Sequence, residues 1–298
     1  MKGSEKGMAI VLVLMIMALM TAMVVEFAGA TYTANAALSN RRDVQSLSLA
    51  AKSGISLLAK ILSDNYERYS YTYPGTVEMP IVNILDNYDG KVLIKVEDEN
   101  AKFNLNSLVL PNNTLNKTAY ESLKILLKYL ELNEKIADNV ADWIDRDSEP
   151  RLEKSEESAK NAYMDSVDEL WLIIDSKSCE KLLPFVTIYG IDEVYTNIIN
   201  INTASIPVLM ALDDTMTPEL AERIANYRSI KPFQQITDIM KVAGFDGPLG
   251  QSLMGRITVK ASNFRISSEA SKNGIKRIIE CVFKKTPAGF TVGYWQEM

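Results

Sequence analysis

The chain has no histidine in its 298 residues. That excludes Ser-His-Asp and Cys-His catalysis and any His-ligated metal site. Cysteine is nearly absent, with Cys179 and Cys281 alone. The two could bridge in an oxidising compartment or stand as separate packed thiols, but they do not make a disulfide framework. Positive charge is in deficit: 32 Lys and Arg against 38 Asp and Glu leave a net charge of −6, which argues against a nucleic-acid surface. There is no glycine-rich phosphate loop and no nucleophile beside a base. Paired carboxylates occur, but acidic pairs are common on helical surfaces and do not make a glycosidase. The chain reads as a protein without enzymatic activity.

What is present begins at the N-terminus. A short head, MKGSEKG, carries Lys2 and Lys6 and is followed by an apolar run from Met8 to Val25 in which Thr21 is the one polar residue. As a helix the run spans about 27 Å, close to the hydrocarbon thickness of a bilayer. The basic head predicts a cytoplasmic N-terminus, with everything after about residue 30 on the far side. A cleaved signal peptide is the competing reading, with Phe27-Ala28-Gly29-Ala30 as its cleavage site. The next stretch favours the anchor. It lacks proline, its one interior glycine is Gly54, and small or apolar residues recur at Leu47, Ala50, Ala51, Gly54, Leu57, Leu58, Ile61 and Leu62. Those steps of three and four trace one face of a helix. One unbroken helix to about Ser63, its outer half amphipathic, is the expectation.

Farther on, Tyr66 to Asp89 reads as a loop. Lys91–Glu97 alternates as a half-buried strand, and Phe103–Leu108 reads as a strand or turn. Helices follow around Leu123–Leu130, Ile136–Ile144, Leu170–Ile174, Ile206–Leu212 and Thr217–Tyr227, with a short one at Thr237–Val242. Ser205 and Thr217 stand as hydroxyls at two helix starts. Ile257–Lys260, Phe264–Ser267 and Arg277–Lys284 read as strands, the last as the final strand of the sheet. Asn273-Gly274 marks a tight turn. Trp143 and Trp171 fall on apolar helical faces and read as core. Asp142, Asp145 and Asp147, followed by Glu149, Glu153, Glu156 and Glu157, are dense enough at a helix end to bind calcium; a solvated acidic face, with Asp145 capping a turn, is the alternative. Residues 200–250 look like a helix-hairpin-helix unit. Its first hairpin is Asp213-Asp214-Thr215-Met216, and its acids outnumber its bases, so it reads as a unit for protein contacts.

The leader, the long apolar helix and four motifs in order resemble the K-type minor pseudopilins of type II secretion (general secretion pathway protein K), within the type IV pilin superfamily. The motifs are Asn104-Leu105-Asn106, Asp142-Trp143-Ile144-Asp145-Arg146-Asp147, Val186-Thr187-Ile188-Tyr189-Gly190 and Asn200-Ile201-Asn202-Thr203-Ala204. The resemblance spans about residues 1–285. It implies prepilin-peptidase cleavage between Gly7 and Met8. Where most of the superfamily has glutamate at the fifth mature position, this chain has Leu12, a substitution typical of the K type. It implies an α+β fold: a long N-terminal helix (8–25 in the membrane) packed on an antiparallel sheet, with an inserted helical domain of SAM-like or helix-hairpin-helix-like form at 111–250 between pilin-like parts at 26–110 and 251–298. It implies a place at the pseudopilus tip and partners among I- and J-type minor pseudopilins, the inner-membrane platform, and cargo or the secretin. It also implies calcium in some members, here through Asp142, Asp145, Asp147 and Glu157, although Lys160 replaces the glutamate of the family's Gly-Ala-Glu element. The alternative within the superfamily is the tip pilin of a type IV pilus, serving adhesion or DNA uptake; a membrane-anchored DNA-binding module is the alternative from another class.

Overall fold

The structure, a computed structural model, describes residues 3–72, 76–81, 90–153, 155 and 157–298, with 3–6 and 76–81 as backbone. Helix α1 spans Gly3–Arg68, 66 residues, or about 100 Å at the helical rise. It ends a turn beyond the expected Ser63 because tertiary contacts hold the last turn. The Tyr66 ring meets Phe290 edge-on at 5.4 Å. Lys260 Nζ donates to the Tyr66 carbonyl at 2.6 Å and lies 3.9 Å from the centre of its ring. Lys285 pairs with Glu67 at 2.9 Å.

The next elements in chain order are β1 (Thr76–Ile81), β2 (Lys91–Asp98), and a two-residue β3 (Phe103–Asn104). Helices α2 (Lys117–Tyr129), α3 (Ile136–Ile144), α4 (Leu170–Ile173) and α5 (Ser176–Leu182) follow. Short strands β4 (Val186–Thr187) and β5 (Ile199–Asn200) precede α6 (Ile206–Met210), α7 (Pro218–Ile230) and α8 (Pro248–Leu253). The chain closes with β6 (Ile257–Thr258), β7 (Asn263–Lys272), β8 (Ile275–Thr286) and β9 (Gly289–Glu297). The main sheet is antiparallel, in the order β1-β2-β7-β8-β9. The turn at Asn273-Gly274 has φ of 51° and 81°, the paired positive values that Asn-Gly supplies for a hairpin.

Several expectations need correcting. Of the Tyr66–Asp89 stretch expected as a loop, Tyr66–Arg68 close α1, Thr76–Ile81 form strand β1, and 73–75 and 82–89 lie outside the described residues; Pro80 hid β1, yet proline is tolerated because β1 is an edge strand. Arg277–Lys284 is not the final strand. It lies inside β8, and β9 covers it as the far edge. Ile257–Lys260 contributes only a two-residue strand, parallel to β5. Phe103–Leu108 is a two-residue strand parallel to β4, followed by a 3-10 turn at Leu105–Leu108. The Thr237–Val242 helix is a 3-10 helix at Ile236–Lys241.

The sheet separates two cores. On one face, Leu47, Ala50, Ala51, Ile55 and Leu58 of α1 bury against Val92, Ile94, Val96, Ile266, Ile279, Cys281 and Phe283. The expected stripe holds except at two positions: Leu57 and Ile61 stay 42% and 37% exposed, and Ile55 takes their place. Helix and sheet approach closely at Gly54. A Cβ there would lie 2.9 Å from Ser268 Oγ, 3.0 Å from Ile94 Cδ1 and 3.3 Å from Val92 Cγ1. On the other face, Val282 joins the core of a first helical lobe with Leu123, Leu126, Leu127, Val140, Ile144 and Leu170. A second lobe packs Val208, Leu209, Ile224, Phe233, Ile239 and Phe245. Both lobes lie in the sequence between β2 and β7.

Candidate functional site

The apolar half of α1 packs on nothing among the described residues; Met8, Leu12, Met15, Met20 and Val25 are all more than half exposed. Its polar atoms are tied inward: Thr21 Oγ1 donates to the Met17 carbonyl at 2.7 Å. That leaves no unpaired hydroxyl, as a hydrocarbon surrounding demands. Gly7, Met8 and Leu12 all sit on this helical surface, and a Cβ at Gly7 would have nothing within 4 Å. Among the described residues this is the one helix long and apolar enough to cross a membrane.

The motif residues are structural. Each lobe starts from the same Asn-x-Asn device. In the first, Asn104 Oδ1 accepts from Asn106 N at 3.1 Å. Asn106 then clamps Met164 from both sides, accepting from its N–H at 2.8 Å and donating to its carbonyl at 3.0 Å. In the second, Asn200 Oδ1 accepts from Asn202 N at 3.1 Å, and Asn202 clamps Phe233 at 2.8 and 2.9 Å. All four asparagines are buried. A buried amide that satisfies a distant peptide on both sides fixes the fold where no ladder hydrogen bond is available.

The point where the lobes leave the sheet is charged. Glu99, fully buried, accepts from Lys102 Nζ at 3.0 Å, from Arg265 Nε at 2.7 Å and from the Thr187 hydroxyl. Burial pushes its carboxyl up, but Lys102 and Arg265 outweigh burial and hold it below the usual range. Its neighbour Asp98 has no cation. It accepts from Asn100 N, Asn200 Nδ2 and Thr203 Oγ1 at 2.7, 2.7 and 2.6 Å. Burial dominates there and pushes its carboxyl up to about 6.

Among the described residues the acidic segment does not form a cation cage. Asp142 and Asp145 are buried, and one guanidinium nitrogen of Arg151 pairs with both. Asp142 also accepts from Arg151 N at 2.8 Å and from the Ser155 hydroxyl. Asp147 turns the other way, accepting from Glu149 N at 3.0 Å and Asn113 Nδ2 at 3.4 Å. Glu157 is exposed, and Glu156 lies outside the described residues. Lys160 pairs with Asp165 at 2.6 Å and Glu169 at 2.8 Å. Among the described residues no three acidic side chains converge on one point. Asp145 Oδ1 and Asn161 Oδ1 are buried without a partner, far short of the six to eight oxygens that calcium takes. As placed, the described residues do not fit calcium: Asp147 and Glu157 stand apart from the Asp142–Asp145 pair, and Arg151 already meets the charge of that pair.

The cysteines do not pair either. Both are free and buried, Cys179 in the first lobe's core and Cys281 under α1, on opposite faces of the sheet. Trp143 packs against the first core and donates from Nε1 to Glu169 at 2.8 Å, whereas Trp171 is 42% exposed rather than core. In the helix-hairpin-helix segment, Thr217 caps α7 through Leu220 N at 3.3 Å, and Ser205 makes no side-chain cap. Asp213 accepts from the Thr215 amide at 3.0 Å, so a carboxylate already takes a hairpin N–H that a phosphate would need.

A helix bare and apolar at one end and bedded on an antiparallel sheet at the other is a pilin-like architecture, and its apolar end fits a membrane anchor. Models of the family "Type II secretion system (T2SS), protein K" match residues 101–190 and 199–260, and these bounds follow the two lobes. The chain belongs to the type II secretion system protein K family. It is 32% identical over 168 residues to type II secretion system protein K of Pseudomonas aeruginosa, a match covering 51% of this chain and 49% of that one; the chain thus spans about half the length of that relative. The protein K of Pectobacterium carotovorum subsp. carotovorum is 26% identical over 76% of each chain, and that of Aeromonas hydrophila 25% identical over 94% of this chain and 92% of its own. In fold, the chain is similar to a solved structure of the GspK-GspI-GspJ complex from enterotoxigenic Escherichia coli, with a TM-score of 0.69 at 21% identity, covering 87% of this chain and 98% of that chain. The family is a component of secretion machinery and not an enzyme. Its membership and the apolar helix together fit a single-pass inner-membrane protein, a minor pseudopilin.

Proposed function

We propose that this subunit sits at the tip of a type II secretion pseudopilus, where it helps start assembly and so helps export folded proteins across the outer membrane. The observation that carries the reading is α1 itself: one continuous rod with its apolar half bare and its outer half packed on the sheet. Such a rod can rest in a bilayer and then be drawn into a bundle of like helices. Leu12 sharpens the position. A carboxylate in hydrocarbon is tolerable only when paired, and in the superfamily that pairing is with the N-terminal amine of a neighbouring subunit. Leucine offers no such pairing, so this subunit need follow no other and can stand first. The two lobes between β2 and β7 supply the bulk of a cap.

The partners follow from the same helix. Most of the amphipathic stripe is spent on the chain's own sheet. What remains for neighbouring helices is a second row, Leu49, Leu57 and Ile61, exposed and spaced at multiples of four. I- and J-type minor pseudopilins fit this row, in keeping with the complex named for the similar structure. In this reading the N-terminus is cytoplasmic, the lobes are periplasmic, and prepilin peptidase cuts the Gly7–Met8 bond. Mass spectrometry of the N-terminus, in cells with and without that peptidase, tests the reading. The expected result is Met8 as first residue only when the peptidase is present. An intact Met1 in both cells, or a cut near Ala30, overturns it.

A further inference from the structure

The acidic segment after α3 disagrees with the calcium site that the family resemblance implies, and the disagreement has a pattern. We infer that in this chain Arg151 is a built-in replacement for the cation, so that the described residues between Asp145 and Asn161 are held in place without metal.

The guanidinium stands where a divalent ion would have to stand to neutralise the helix end. One nitrogen contacts Asp142 Oδ1 and Asp145 Oδ2 together. The backbone N–H of the same residue reaches the other oxygen of Asp142 at 2.8 Å, and the Ser155 hydroxyl also donates there. Residues 151 and 155 of the loop are therefore pinned to the one carboxylate of Asp142, which is what a shared metal ion does for a loop. Arginine suits the task because it remains charged when partly buried and its donors are fixed in a plane. Here the two carboxylates raise its already high pKa further against the opposing effect of burial. A divalent ion beside it would meet a like charge at contact distance, and both oxygens of Asp142 and one of Asp145 are already engaged.

Lys160 completes the substitution. Where the family has an acidic ligand, this chain has an ammonium that closes the far end of the loop onto Asp165 and Glu169. Glu169 in turn accepts from Trp143 of α3 at 2.8 Å. Arg151 thus ties the loop to Asp142 of α3, and Lys160 ties its far end to Glu169, which in turn holds Trp143 of α3. A proton-bearing side chain has replaced a diffusible ion, and the fold loses its dependence on calcium concentration.

The test is the melting temperature of the full chain in detergent, measured in millimolar calcium and in excess chelator. Limited proteolysis of the 145–161 loop gives a second readout. The expected result is the same melting temperature and the same cleavage rate in both conditions. Arg151→Gln should melt several degrees lower and be cut faster within the loop. A wild-type chain that melts higher in calcium, or is cut faster in chelator, overturns the inference. So does an Arg151→Gln chain as stable and as protease-resistant as wild type. If that variant fails to fold, the wild-type comparison still decides.

Discussion

Replacing Gly54 tests how closely α1 lies on the sheet. In a helix interior, alanine is favoured over glycine by about 0.5–1 kcal/mol. At this position that gain meets resistance: the new Cβ would lie 2.9 Å from Ser268 Oγ and 3.0 Å from Ile94 Cδ1. Both are ends of side chains, and Ser268 Oγ has no hydrogen-bond partner to lose by turning away. Gly54→Ala should therefore come out within about 1 kcal/mol of wild type, the propensity gain offsetting the crowding. Gly54→Val is different. Its γ-methyls extend past the Cβ position toward Val92 and Ile94, which are fixed in β2 and fully buried. Overpacking of that kind costs about 1–3 kcal/mol. Denaturant unfolding of the full chain in detergent, followed by the fluorescence of its three tryptophans, reads the loss. Val92→Ala in the Gly54→Val background should restore part of it, since the two sites share one contact. A Gly54→Val chain that unfolds at the wild-type denaturant concentration would refute the close approach.

Two more outcomes are expected. Asp98 has a carboxyl raised from its ordinary 3.8 to about 6 by burial, so the folded chain holds that proton more tightly than the unfolded chain. Its contribution, on the order of 3 kcal/mol, is full below about pH 4 and is lost as pH rises through 6; the unfolding midpoint of Asp98→Asn should lack that part of the pH slope, and an unchanged slope would show that Asp98 is not buried as described. Burial pushes the thiols of Cys179 and Cys281 up to about 11 and about 12. Neither should take up iodoacetamide at neutral pH until the chain is unfolded, when both should, and a mass two protons lighter than the dithiol chain would reveal a bridge after all.

The sequence made some elements plain and hid others for physical reasons. Helix α1 was legible because forty residues beyond the apolar run carry no proline and keep a helical period. The β7–β8 hairpin was legible because Asn273-Gly274 names its own turn type. Strand β1 was hidden by Pro80, and β9 by lying at an edge, where Val292 and Trp295 remain exposed and no clean alternation develops. The exposure of Leu57 was hidden as well, since periodicity gives the angle of a stripe but not which of its flanks meets the sheet. At the acidic segment the carboxylates could be read and their partner could not. Arg151 lies nine residues beyond Asp142, across a turn, where no helical or strand spacing relates them. The Asn-x-Asn pairs stood out as motifs, yet their shared task of clamping Met164 and Phe233 became visible only once those distant peptides were in place.

Asn100 accepts from the backbone N–H groups of both Ser262 and Asn263, at 2.8 and 2.9 Å. The chain departs for the lobes beside this latch and returns beside it, so both connections to the lobes leave the sheet at the same corner. A load applied to the lobes reaches the sheet at that corner, where β2 and β7 meet end-on, and through the packing of Val282 of β8 in the first lobe. A load applied along α1 is borne in shear by the whole helix–sheet contact at once. The covalent route between head and shaft is thus a single corner, while the shaft itself is gripped along its length.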